Sequence, residues 1–236
     1  MARRSGMIFV GRGALLRRAV EFALTNGHCI DMVCSDDPKD AGREAAAGAC
    51  QHVPDINAQA HWIVERCTDG IVWSINNRTI FGPALVDSGL RIYNIHNGLL
   101  PQHRGLPSVA VIFALLHGHP EYGATLHEVD RGIDTGRVLA EERFPLPPDA
   151  RYHDVVLRGV QQCHHLFEAS LSAIVAGRDI ADAPDTSAGR QPGYYGLHAL
   201  RELDRYRGHP AFARATDLGP LAPYLPEVLA ALARIP

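Results

Sequence analysis

A chain of 236 residues with 46% hydrophobic content is long enough to bury a core, and one large domain, or one with a small appendage, is expected. Its 23 Lys and Arg against 26 Asp and Glu leave a formal charge of -3, so no basic field holds a polyanion and no nucleic-acid partner is expected. The apolar run at residues 7–10 is too short for a signal peptide or a membrane span, which points to a cytoplasmic protein without a membrane partner.

The run at 7–10 reads as a strand entering Gly11-Arg12-Gly13. Residues 14–26 then carry Leu15, Leu16, Ala19, Val20, Ala23 and Leu24 at helical spacing, with Gly27 as the stop. Residues 30–34 form a second strand closed by Ser35-Asp36-Asp37-Pro38. The spacing predicts helices over 39–51 and 58–66 and a buried strand over 70–75. Further strands fall at 91–95, 123–129 and 138–144, with an apolar helix at 106–117 and a long one at 151–176 ending at Gly177. Strands alternating with helices across short turns define an α/β chain with a Rossmann-like, mostly parallel twisted sheet covered on both faces.

A catalytic domain over residues 1–180 is expected, followed by a short appendage over 181–236 that begins rich in Pro, Gly and Asp. Amphipathic segments at 197–206 and 228–234 follow, and they could serve a homodimer interface. The odd set Cys29, Cys34, Cys50, Cys67 and Cys163 lacks any C-x-x-C pair. It reads as reduced and mostly buried, and no metal site is expected.

Gly11-x-Gly13 is half of a dinucleotide fingerprint, since position 16 is Leu. A close-packed strand-to-helix turn explains these glycines without a cofactor.

The chemistry gathers in Tyr-Asn-Ile-His-Asn-Gly-Leu-Leu-Pro-Gln-His-Arg-Gly, residues 93–105, and in the segment 123–136 that ends Asp-Arg-Gly-Ile-Asp-Thr-Gly. Asn94 and His96 alternate on one strand and so share a face. Acyl transfer to an amine needs a donor to the developing oxyanion, an acceptor for the amine proton and a group that orients that base. Asn94, His96 and Asp134 supply one of each. The same residues read equally as turn formers with satisfied hydrogen bonds, and spacing alone does not decide between these.

Asn94-Ile95-His96-Asn97-Gly98-Leu99-Leu100-Pro101 with His103-Arg104-Gly105, then Gly123-Ala124-Thr125-Leu126-His127 and Asp130-Arg131-Gly132-Ile133-Asp134-Thr135-Gly136, resemble the signature of the 10-formyltetrahydrofolate-dependent formyltransferases. The resemblance covers about residues 7–180 and implies that Asn94, His96 and Asp134 are catalytic, with 10-formyltetrahydrofolate as co-substrate. By position it places the folate against the loop of Asn76, Arg78, Ile80 and Phe81 and the loop of Asp130, Gly132 and Ile133. Asn97 departs from the Ser or Pro common in the family, and Asn76-Asn77-Arg78 from the small or Lys-bearing loop expected there.

Methionyl-tRNA formyltransferases carry a second domain of roughly a hundred residues, whereas about 55 mixed-charge residues follow position 180 here. The chain looks closer to sugar N-formyltransferases and to the formylation domains of peptide synthetases, so the expected acceptor is a small-molecule amine. Arg104 suits a phosphate or carboxylate on that acceptor, and equally its own loop. Tyr194 and Tyr195 either stack on the acceptor or anchor the tail. A hydrolase of formyltetrahydrofolate and an inactive folate-binding module are the alternatives.

Overall fold

The computed structural model describes residues 5–42, 44–45, 48–178 and 189–234. Strand β1 (Met7–Gly11) enters helix α1 (Gly13–Thr25), which buries Leu16, Ala19, Val20 and Ala23. Next come β2 (Ile30–Ser35), the two-residue strands β3 (Glu44–Ala45), β4 (Gly48–Ala49) and β5 (Gln51–His52), α2 (Ala60–Arg66), β6 (Ile71–Ile75) and α3 (Pro83–Val86). The chain continues through β7 (Arg91–His96), β8 (Arg104–Gly105), α4 (Pro107–Leu116), β9 (Glu121–Glu128), β10 (Val138–Pro145) and α5 (Tyr152–Val175). It closes with β11 (Tyr194–Tyr195), a 3-10 segment at Leu197–Tyr206, α6 (Phe212–Thr216) and α7 (Pro226–Leu232).

Seven strands form one sheet in the order β10-β9-β7-β6-β1-β2-β5. The pairs β5 with β2, β2 with β1, β1 with β6 and β6 with β7 are all parallel. Strands buried on both faces need continuous apolar runs, and β1 and β6 are buried throughout. The α/β, Rossmann-like architecture read from the alternating pattern is the one observed.

The chain divides into two compact units. One comprises residues 1–95, 126–140 and 164–183; the other comprises 96–125, 141–163 and 184–236. The core of the first gathers Ile8, Val10, Met32, Ile63, Val72, Phe81, Leu85 and Ile92. The core of the second gathers the apolar helix α4 with Tyr122, Phe144, Tyr152, Leu200, Leu203 and Val228. The domain boundary expected near residue 180 lies outside the described residues.

The helix expected over 39–51 is not there. Turns lead instead into β3, β4 and β5. Asp40, 5% exposed, accepts hydrogen bonds from the Gly13 amide at 2.7 Å, Ser35 Oγ at 3.0 Å and Arg17 Nη1 at 3.0 Å. Burial alone would raise the Asp40 carboxyl, but these donors hold it below its usual value. One tertiary carboxylate at the start of α1 overrides the helix propensity of an alanine-rich stretch that Gly42 and Gly48 already interrupt. The amphipathic segment at 197–206 likewise takes a 3-10 course.

All five cysteines are free, and Cys34, Cys50 and Cys163 are buried. Burial pushes the Cys34, Cys67 and Cys163 thiols up to about 12, so none is poised as a thiolate.

Candidate active site

In the first unit, Asn94 sits half-buried on β7, where Ser74↔Asn94 and Ile75↔Ile95 fix its register against β6. Its amide nitrogen lies 3.0 Å from Nε2 of His127 on β9. Nδ1 of His127 lies 2.7 Å from the Glu128 carbonyl oxygen, which can only accept, so Nδ1 carries the hydrogen and Nε2 of the neutral ring accepts from Asn94. The same Nε2 is 3.7 Å from Oδ1 of Asp134, with the two side chains only 3% and 13% exposed. Asn94 and Asp134 therefore flank one imidazole nitrogen, Nε2 of His127. Asp134 adopts φ 52°, a left-handed conformation that Asp tolerates better than most residues. The turn before it is tied by Asp130, which accepts from the Gly132 amide at 3.0 Å and Thr135 Oγ1 at 2.6 Å.

In the sequence His127 is one residue of the motif at 123–127, with nothing local to assign it a role. The available signal was its place on a strand just ahead of the Asp-bearing turn; its partners become visible only with the strand order.

The loop after β6 belongs to the same unit. Asn76 is exposed, has φ 53° and donates to the Arg12 carbonyl at 3.3 Å, while Asn77 and Thr79 close a turn. Arg78 is exposed and Ile80 is 59% exposed, an apolar side chain displayed beside polar neighbours. Phe81 points the other way, into the core that also packs Val129. Among the expected folate contacts, Asp130 and Gly132 are exposed and Ile133 half-buried.

In the second unit, His96 is 5% exposed and its Nε2 lies 2.7 Å from the His103 carbonyl oxygen. Nε2 therefore carries a hydrogen, and in the neutral ring the lone pair resides on Nδ1. The loop supplying that carbonyl is densely bonded. His103 N donates to the Leu99 carbonyl at 2.9 Å and Leu99 N donates to His103 Nδ1 at 3.1 Å. Leu100 N donates to Thr125 Oγ1 at 3.2 Å, and that hydroxyl donates to the Gly98 carbonyl at 2.8 Å. The Leu100–Pro101 peptide is cis. Because His103 Nδ1 accepts, its Nε2 donates to His119 Nδ1 at 2.9 Å. Burial first, then the neighbouring His119, His96 and Arg190 charges, drives the His103 pKa down to about 2, so this ring is neutral.

The residues expected to meet an acceptor separate here. Tyr195 stacks on Phe113 with ring centroids 5.3 Å apart and packs against the core. Tyr194 is 45% exposed, with the Arg104 guanidinium 5.9 Å from its ring centroid and His198 stacked at 5.7 Å. Asn97 turns its side chain toward Gly159 on α5, leaving Oδ1 buried without a hydrogen-bond partner. Among the described residues, no cluster of three or more His, Cys, Asp or Glu is arranged to hold a metal ion, and no helix is long and apolar enough to cross a membrane.

The fold is that of the N-formyltransferases, as two solved structures show. A 4-N formyltransferase from Francisella tularensis superposes with a TM-score of 0.70 at 18% identity, covering 84% of this chain and 79% of its own. An N-formyltransferase from Helicobacter canadensis, solved with folinic acid and dTDP-3-aminofucose, gives 0.56 at 18% identity, covering 82% and 71%. Residues 65–171 match the Formyl transferase family model, in line with the resemblance carried by the two motifs, and that span holds Asn94, His96, His127 and Asp134. A methionyl-tRNA formyltransferase from Syntrophus aciditrophicus is 26% identical over 161 residues, 62% of this chain. The chain spans about half of that relative's length, 51%.

Proposed function

We propose that this chain transfers a formyl group from 10-formyltetrahydrofolate to the primary amine of a small-molecule acceptor, such as an amino sugar nucleotide or an amino-acid-derived amine. The observation that carries this reading is the pair of constrained groups on one strand. Asn94 has its amide oriented by His127, and two residues on His96 has its tautomer set by the His103 carbonyl. Both lie within the family-matched segment.

The neutral amine attacks the formyl carbon, forming a new C–N bond and a tetrahedral oxyanion. The second N–H of Asn94 donates to that oxygen. His96 takes the amine proton at Nδ1 and returns it to the folate nitrogen as the old C–N bond breaks, so the imidazole ends as it began. Asp134 acts as a fixed negative charge beside His127, favouring the positive charge that develops as the proton moves. The folate is held by Asn76, Arg78, Ile80 and Phe81 with Asp130, Gly132 and Ile133. The exposed Ile80 offers a flat ring an apolar surface, whereas Phe81 contributes through its backbone because its side chain fills the core. On the acceptor side Tyr194 and Arg104 are the displayed pair, while Asn97 and Tyr195, whose side chains turn inward, shape that side from behind.

Support for a small acceptor comes from the amino sugar nucleotide bound by the Helicobacter canadensis protein and from the net charge of -3, which offers a tRNA no electrostatic grip. The test is a panel of amines incubated with 10-formyltetrahydrofolate, following tetrahydrofolate release and product mass. Formate release with no amine present would replace the transferase by a hydrolase. Formylation confined to methionyl-tRNA would overturn the small acceptor.

A further inference from the structure

The loop that sets the His96 tautomer is gripped by a residue distant in sequence. Arg190 is 9% exposed and sits in a two-pronged pair with Glu141, itself 4% exposed, through Nη1 to Oε1 at 2.7 Å and Nη2 to Oε2 at 2.9 Å. Its Nη1 also donates to the Leu100 carbonyl at 2.8 Å. Around it the segment near Gly193 is laced to the same loop. Gly193 N donates to the Pro101 carbonyl at 3.1 Å, Arg104 N donates to the Gly193 carbonyl at 3.2 Å and Leu106 N donates to the Tyr195 carbonyl at 2.8 Å. A side chain at Gly193 would overlap the Gln102 carbonyl, so the segment lies flush on the loop.

We propose that Arg190 is a positioning residue for His96. By fixing the Leu100 carbonyl it fixes residues 99–103, and thereby aims the His103 carbonyl at Nε2 of His96 and keeps the lone pair on Nδ1. A planar guanidinium can serve two carboxylate oxygens and a carbonyl together, which a lysine ammonium does less well over that spread. Glu141 also receives Arg143 Nη2 at 2.7 Å, so loss of Arg190 leaves the carboxylate one cation and removes specifically the guanidinium donor to the Leu100 carbonyl. This inference rests on His96 carrying the proton in the proposed transfer.

The test uses the full chain with Arg190→Met and Arg190→Lys. Nitrogen-15 spectra of histidine-labelled protein read which ring nitrogen of His96 bears the hydrogen, and steady-state kinetics separate kcat from KM. In the wild type Nε2 bears it. R190M is expected to give a tautomer mixture and a kcat lower by about 10- to 100-fold, the range for a misplaced catalytic group, with KM for folate and amine unchanged. R190K is expected to recover part of both. Should R190M not fold, R190K alone decides: wild-type tautomer with wild-type kcat overturns the proposal. So does a folded R190M with His96 unaltered, or a kcat that falls only with the folded fraction. If the wild type transfers no formyl group to any amine, the proposed function fails, while the tautomer spectra still judge the positioning.

Discussion

Asn94 gives an amide N–H to Nε2 of His127, and this bond exists only while that nitrogen is unprotonated, because Nδ1 is already committed to the Glu128 carbonyl. A proton added to His127 would oppose two donors and turn the ring toward Asp134, 3.7 Å away. The neutral ring thus holds Asn94 with one hydrogen used and the other for the reaction.

His127→Ala should free the Asn94 amide to rotate. We expect kcat to fall about 10- to 100-fold with little change in KM, as for a catalytic group that loses its alignment. Asn94→Ala in the same background should add far less than it costs alone, because the two act as a unit. Full additivity in that double-mutant cycle would refute the coupling.

His96→Ala should lower turnover by about 10² to 10⁴, the contribution typical of a positioned acid-base group. Folate binding by fluorescence or calorimetry should persist. A variant with normal turnover would remove His96 from the mechanism.

His103 makes stability depend on pH. Its folded pKa of about 2 lies below the ordinary 6.5, so between those values the unfolded chain binds the extra proton. Its contribution is complete above pH 6.5 and drains away as pH falls, by about 1.4 kcal/mol per unit. Urea melts from pH 7 to 4 should show that slope, and His103→Gln should flatten it. An unchanged slope in the variant would assign acid sensitivity elsewhere.

Gly159 faces Asn97 across α5. A methyl there would overlap Oδ1 of Asn97, so Gly159→Ala should destabilise by about 1–3 kcal/mol through overpacking. Asn97→Ala should relieve most of that cost in the double variant, measured by thermal or urea unfolding. If Asn97→Ala instead leaves stability untouched and raises KM for the amine, Asn97 contacts the acceptor.

Much of the sheet was legible because its signals are local. The fully buried, largely apolar runs of β1 and β6, the glycine stops at Gly27 and Gly177 and the periodicity of α1 and α5 each report on a few neighbouring residues. The stretch 39–51 was misread because Asp40 answers to Gly13, Ser35 and Arg17, contacts that no window of local propensity contains. Phe81 lies in the loop after β6, yet its side chain turns into the core, and Tyr194 and Tyr195 divide between surface and core by strand alternation alone.

By itself the sequence determined which chemical groups are present and that Asn94 and His96 share a strand, since covalent spacing and the two-residue period of a strand are properties of the chain. Only the tertiary structure decided that His127 accepts from Asn94, that the His103 carbonyl selects the His96 tautomer, and that Arg190 reaches the Leu100 carbonyl. Those choices are hydrogen bonds between residues up to 90 positions apart. Their energy depends on distance and direction in a water-poor interior, quantities that exist only once the backbone has folded.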